Sequence, residues 1–180
     1  LDKWGQLGPA EIPPKRNWLN EYCLRYAALN GFKYNPPKKH PFNPLAALRM
    51  SLKEVSGDDQ LRVIDSIFKG GWSHGADLGD LSTLISLLTK ESIDGESLSH
   101  KILDLDIKEL LINETSYAIE KGVFGVPTII IDDNLFWGND QMDHIELLLD
   151  GKDPLDRERL NDQERPRAID RRAFKKKDKE

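Results

Sequence analysis

An α/β fold, in which a long and mainly helical region leads into a short β-hairpin and a closing helix, is predicted by three features of this 180-residue sequence. Apolar residues recur at helical spacing between residues 14 and 121, punctuated by Gly and Pro. β-branched residues gather only afterwards, in Thr128–Asp132, with Leu135–Trp137 following across Asp133-Asn134 as the second arm of a hairpin. Joining the two regions is Gly122-Val123-Phe124-Gly125-Val126-Pro127, which reads as a helix stop and a tight loop ending in a Val-Pro bond.

The elements follow in order. Residues 1–13 carry Gly5, Gly8, Pro9 and Pro13 and read as irregular. Pro14 to Asn30 is a helix, with proline tolerated at its start, Trp18, Leu19, Tyr22, Cys23 and Tyr26 at helical spacing, and Gly31 as its stop. Phe32 to Phe42 holds three prolines and is a connector. Asn43-Pro44 reads as an N-cap and first-turn proline ahead of a helix carrying Leu45, Leu48, Leu52 and Val55 on one face. Asp58 is expected to cap the next helix, with Leu61, Ile64, Ile67 and Phe68 as its core stripe and Gly70-Gly71 as its break. Asp80 opens a helix with Leu81, Leu84, Leu87 and Leu88. After Gly95, Leu98 to Lys121 reads as one or two helices burying Ile107, Leu110, Leu111, Tyr117 and Ala118, ended by Gly122. Behind the hairpin, Asn139 or Asp140 caps a last helix with Met142, Ile145, Leu148 and Leu149.

Composition bounds the function. With 38% hydrophobic and 32% charged residues, the chain is expected to be a soluble globular protein. No apolar run approaches the roughly 20 residues that span a bilayer, and no signal-peptide pattern is present. No membrane is therefore expected as a partner. A single cysteine, Cys23, leaves no internal disulfide, CxxC pair or Cys-rich zinc site, and a cytoplasmic, reducing compartment is expected. The net charge is -5. Residues 151–180 hold 11 basic and 8 acidic residues, so the remaining 150 carry -8. That acidic body argues against nucleic acid, whose binding rests on phosphate neutralisation. Residues 151–180 are expected to be a solvated, disordered tail, since mixed charge with little apolar content cannot offset its ordering entropy. The four histidines are scattered without metal-ligand spacing, so no metal is expected.

Cis peptides are almost confined to X-Pro bonds. A Val-Pro bond just before a strand is where the thioredoxin fold places a cis proline, and there the preceding residue offers its backbone N–H and C=O to a passing thiol or disulfide. Residues 122–150 match the second half of such a domain. Residues 14–121 would then include an inserted helical domain. The strand–helix–strand unit of the first half is not visible before Pro13. The sequence starts at Leu1 rather than Met, as a processed product or a fragment would.

Three blocks carry a family likeness: Pro9-Ala10-Glu11-Ile12-Pro13-Pro14-Lys15-Arg16, Pro41-Phe42-Asn43-Pro44-Leu45-Ala46-Ala47-Leu48-Arg49, and Gly122 through Asp140. With the helical spacing between them, roughly residues 5–150 resemble the 2-hydroxychromene-2-carboxylate isomerases. These are a branch of the DsbA-like thioredoxin superfamily close to kappa-class glutathione transferases. The resemblance implies a thioredoxin-like fold with an all-helical insertion, glutathione as cofactor, a small aromatic substrate and a homodimer. It implies that the cysteine of glutathione pairs with the backbone of Val126 before Pro127, and that Asn139 and Asp140 hold the γ-glutamyl amine. Lys15 matches the family's basic residue and Gln6 its upstream amide, where relatives usually have asparagine. Trp137, Phe42 and Asn43 are the candidate substrate-pocket residues.

Two departures stand out. The family's thiolate-activating serine turn is not in this sequence, so no catalytic residue is assigned, and Ser51, Ser56 and Ser66 lack its context. Gln141 stands where many relatives carry arginine. A glutathione thiol attacks only as thiolate, so weak or no turnover is expected of residues 1–180 alone. Ordinary roles compete at several positions. Asp140 fits a helix cap, Lys15 a solvated first-turn lysine, Asn43 a cap, and Cys23, Trp18, Phe42 and Trp137 core packing. Alternatives to the isomerase are a glutathione transferase or thiol–disulfide oxidoreductase on the same scaffold, and a catalytically inactive helical scaffold that pairs with another chain.

Overall fold

A computed structural model describes residues 2–5 and 7–161. The chain divides into two compact units, Leu1–Gly125 and Val126–Glu180.

The first unit is helical. Helix α1 spans Pro13–Leu29. It stops as expected at Gly31, whose φ of 69° suits a residue without Cβ, while the Phe32 N–H bonds back to the Ala27 carbonyl at 2.9 Å. The apolar stripe of α1 is not core, contrary to the sequence expectation. Only Ala27 is buried, and Trp18 is 62% exposed. Trp18, Tyr22, Tyr26 and Phe32 instead pack ring on ring along the helix, with centroids 5.5, 5.9 and 6.4 Å apart. Four-residue spacing puts Trp18, Tyr22 and Tyr26 on one face, and Phe32, just past the helix end, extends the row, so that the rings shield one another laterally.

The helix expected after Asn43-Pro44 is two pieces, α2 (Leu45–Met50) and α3 (Lys53–Ser56). Ser51 donates its hydroxyl to the Ala47 carbonyl and Leu52 is extended, which turns the chain. The kink brings Ala47, Met50 and Val55 into the core and leaves Leu45 and Leu48 exposed. Helix α4 (Gln60–His74) follows a 3-10 turn, Gly57–Asp59. Asp58 does not cap it, because its carboxylate pairs with Lys53 at 3.2 Å. The expected stripe is also rotated. Leu61 and Phe68 are exposed, whereas Val63, Ser66, Ile67, Gly70 and Gly71 are buried.

Gly70-Gly71 does not break α4, as the sequence suggests, but lies inside it. A Cβ at Gly70 would collide with the methyls of Leu87, and one at Gly71 with the side chain of Leu78. The pair is a site of close approach. Helix α5 (Leu81–Lys90) begins at Asp80 as expected, and its Leu84 and Leu88 are completely buried. The last stretch is two helices, α6 (Gly95–Lys101) and α7 (Leu105–Glu120). No α7 residue is buried, so the expected buried face is corrected to a partly covered one on which Ile107 packs against the core and Tyr117 is exposed. Met50, Val55, Val63, Ile67, Leu78, Leu84, Leu88, Ile93, Leu98 and Ile102 form that core.

In the second unit, β1 (Thr128–Ile131) pairs antiparallel with β2 (Asn134–Trp137), Thr128 opposite Trp137 and Ile131 opposite Asn134. The turn falls on Asp132-Asp133, one residue earlier than expected, because Asp132 takes a φ of 52° that Asp tolerates. Among the described residues the sheet has these two strands. Helix α8 spans Met142–Leu149 and buries Ile145. Within the segment expected to be a tail, a short helix α9 (Arg157–Asn161) is present, and Arg157 donates to the Asn134 side chain at 2.6 Å. Residues 162–180 lie outside the described residues.

Candidate site at the open end of the hairpin

Antiparallel pairing makes one end of a hairpin a turn and leaves the other open. Here the open end joins the segment entering β1 to the segment leaving β2. The Val126-Pro127 bond is cis. The Pro127 carbonyl accepts the Gly138 N–H at 3.0 Å, which carries the ladder one step beyond the strands. That bond places Val126-Pro127 beside Gly138-Asn139-Asp140. Val126 is 86% exposed, and among the described residues its N–H and C=O have no hydrogen-bond partner. Both atoms remain available to an extended peptide backbone, the mode by which a strand is added to an edge.

The polar corner is a 3-10 turn, Asn139–Gln141. The N-cap of α8 falls on Gln141, which makes no side-chain capping bond, so Asn139-Asp140 stands one turn ahead of the helix rather than at its cap. Gly138 has a φ of 111°, and a Cβ there would strike Asp140 Oδ1. The glycine is what lets the Asp140 carboxylate fold back over the corner. That carboxylate receives only a long 3.5 Å contact from Gln141 Nε2, while the amide oxygen of Gln141, Oε1, is 3.1 Å from His144 Nδ1. Asp140 is exposed and free to accept a cationic donor. Trp137, at the end of β2, is 51% exposed on the same end of the unit.

Other candidates belong to the first unit. Lys15 is exposed in the first turn of α1 and forms no ion pair among the described residues. Phe42 packs against the helical core and meets the His40 ring edge-on at 5.9 Å. Asn43 accepts the Leu45 N–H at 3.0 Å, starting the turn into α2 one residue ahead of the cap position at Pro44. Gln6 lies outside the described residues. The hydroxyls of Ser51, Ser56 and Ser66 donate to the carbonyls of Ala47, Leu52 and Leu87. Cys23 is half-buried beside Tyr34, whose phenol is pushed above its ordinary range, first by burial and then by the neighbouring sulfur. Sequence reasoning missed Gly138 as a site residue. Its signal was a glycine at the strand end, directly before two polar residues.

Among the described residues no group of three or more His, Cys, Asp or Glu is placed to hold a metal ion, and no helix is long and apolar enough to cross a membrane. Residues 2–150 match the DSBA-like thioredoxin domain. This chain belongs to that family. Relatives of the chain include 2-hydroxychromene-2-carboxylate isomerases. The chain is 26% identical over 149 residues to a 2-hydroxychromene-2-carboxylate isomerase of Sphingobium xenophagum, covering 81% of this chain and 74% of that protein. It is 28% identical over 149 residues to one from Pseudomonas putida, covering 79% and 70%. A solved 2-hydroxychromene-2-carboxylate isomerase superposes with a TM-score of 0.73 at 23% identity, over 82% of this chain and 71% of that one. The DSBA-like thioredoxin fold with its large helical part, expected from the three sequence blocks, is thereby established.

Proposed function

We propose that the chain is a glutathione-dependent isomerase of 2-hydroxychromene-2-carboxylate type, acting on small aromatic catabolites. One observation carries this reading: the backbone pair of Val126, unpartnered among the described residues, lies at the same hairpin end as the exposed carboxylate of Asp140. The names of the relatives support the substrate type.

The residues present fit a γ-glutamyl tripeptide. Val126 N–H and C=O would pair with the backbone of its cysteine. Asp140, with Asn139, would take its ammonium, a charge-assisted contact about twice as strong as a neutral one. Pro127 cannot donate, so Val126 N–H is the donor that meets the peptide. Trp137 would offer a flat apolar face to the ring of the substrate. When bound, glutathione would supply a nucleophilic thiol for reversible addition to the chromene ring, the chemistry that an isomerisation of this type needs. No residue is assigned to thiolate activation.

The test pairs calorimetry with turnover. Reduced glutathione should bind saturably at millimolar or lower concentration, and Asp140→Ala should weaken binding about tenfold, as loss of a charged hydrogen bond does. Because Asp140 is exposed, the thermal midpoint should not move. Loss of the chromene absorbance should require glutathione. Binding that is unaffected by Asp140→Ala, or no binding at all, defeats the proposal. Binding with weak or absent isomerisation is the outcome that the absent serine turn leads one to expect, whereas glutathione conjugation of an aromatic electrophile would favour a transferase on the same cradle.

A further inference from the structure

One side of α1 carries apolar bulk that the helical unit leaves uncovered. Ala27, its buried residue, and the half-buried Cys23 mark the side turned to the protein. On the opposite arc Trp18, Tyr22, Tyr26 and Leu29 follow at helical spacing, with Leu29 86% exposed, and Phe32 continues the row at 63%. Stacking covers the ring faces in part and leaves the ring edges in solvent. Two cations stand on the same arc. Lys15 precedes Trp18 by three residues, Arg25 follows Tyr22 by three, and both are exposed. Lys33 is exposed beside Phe32. Lys15 and Lys33 enter no ion pair among the described residues, while Arg25 holds Glu21 at 2.9 Å. The charge around this helix opposes that of the rest of the unit. Residues 1–40 hold 7 basic and 3 acidic residues, whereas residues 41–150 hold 8 and 20.

Aromatic rings interleaved with cations set two requirements on whatever covers this face. A contiguous exposed apolar row marks a contact surface. Trp and Tyr join an apolar ring to a polar N–H or O–H, which suits the boundary between lipid headgroups and acyl chains. Lys and Arg add attraction to anionic headgroups. A second copy of the chain would instead set like charge against like across the face, which opposes association. We propose that α1 is an interfacial helix that docks the protein reversibly on an anionic lipid bilayer, with Trp18, Tyr22, Leu29 and Phe32 at the headgroup boundary and Lys15, Arg25 and Lys33 against the phosphates. The lack of a membrane-spanning run, which argued against a membrane partner, does not bear on a helix that lies in the interface plane. The docking face uses no residue of the hairpin cradle and does not depend on the glutathione reading.

The probe is a vesicle of phosphatidylcholine with about 30% phosphatidylserine, whose surface potential is negative, and pure phosphatidylcholine is its control. The full chain should co-sediment with the anionic vesicles at least about tenfold more strongly than with the neutral ones, and about 0.5 M NaCl should largely release it by screening the headgroups. Trp18→Ser/Leu29→Ser, which removes apolar area at exposed positions, should lose at least about tenfold in partition. Arg25→Gln/Lys33→Gln should lose about fivefold for each charge on anionic vesicles and little on neutral ones. Both double variants should keep the helical circular-dichroism signal, since every altered side chain is exposed. The proposal is overturned by absence of binding, by equal partition into the two vesicles, or by partition unchanged in either double variant, which would move the contact to the basic residues beyond position 164. A dimer, present without vesicles and dissociated by Trp18→Ser/Leu29→Ser, would also overturn it, by giving the face to a second copy.

Discussion

Asp80 shows how much chemistry a single exposed side chain can concentrate. Its carboxylate accepts the Thr83 N–H at 3.0 Å and the hydroxyls of Ser82 and Thr83 at 2.6 and 2.7 Å. These bonds, the Ser82 hydroxyl first, hold its pKa at about 2 instead of 3.8. A carboxyl depressed by folding stabilises the fold above the unfolded value and loses that contribution as pH falls through the folded one. Asp80→Ala should therefore lower the thermal midpoint at neutral pH, and the gap from the parent should close between pH 3.8 and about 2. A gap that stays constant across that window would show that the carboxylate charge plays no part. Aspartate before a run of leucines was legible in the sequence as a cap. The extra hydroxyl donors were not, since Ser82 and Thr83 have other uses in a first turn.

Elements differ in what their glycines do, and the contrast is measurable. Gly122 ends α7 with a φ of 86°, and the N–H groups of Gly122 and Val123 bond back to Ile119 and Ala118 at 3.0 Å. Nothing lies within 4 Å of a Cβ built there, so Gly122→Ala meets only the left-handed backbone penalty, about 1–2 kcal/mol in denaturant unfolding. Gly71 is the reverse case. Its backbone is helical, where alanine is intrinsically better by about 1 kcal/mol, but the added methyl would enter the Leu78 side chain. Gly71→Ala should still destabilise, by about 1–3 kcal/mol, as overpacking does. A gain in stability would mean that Leu78 gives way freely. The sequence shows a glycine in both places. It marks the first as a helix end because the periodicity stops there. It cannot mark the second as a contact, because its partner, Leu78 in the turn after α4, is brought there only by the tertiary fold.

For the molecule as a whole, stability of the helical unit rests on a core drawn from α2 through α6, with Leu84 and Leu88 completely buried at its centre. Leu84→Ala should cost about 2–5 kcal/mol, the range for a buried leucine that leaves a cavity, read as a lowered denaturant midpoint of the helical circular-dichroism signal. An effect below about 0.5 kcal/mol, the level of a surface change, would mean that this core is not the one that holds the unit.

Local chemistry alone determined several things about this protein. The order of helices, then hairpin, then helix, the stops at Gly31 and Gly122, the cap at Asp80 and the Val-Pro entry to β1 all depend on interactions within a few residues, which a sequence displays directly. Periodicity also showed that α1 and α4 each have an apolar side. Only the tertiary structure decided which side is covered, because burial is set by the neighbour: α4 turns its glycines inward to admit Leu78 and Leu87, and α1 leaves its aromatic rings to one another. The candidate site divides in the same way. Val126, Pro127, Asn139 and Asp140 could be named from the sequence. Their meeting at one hairpin end depends on strand register and on the Gly138-to-Pro127 hydrogen bond, a pairing between residues 11 positions apart that no local pattern encodes.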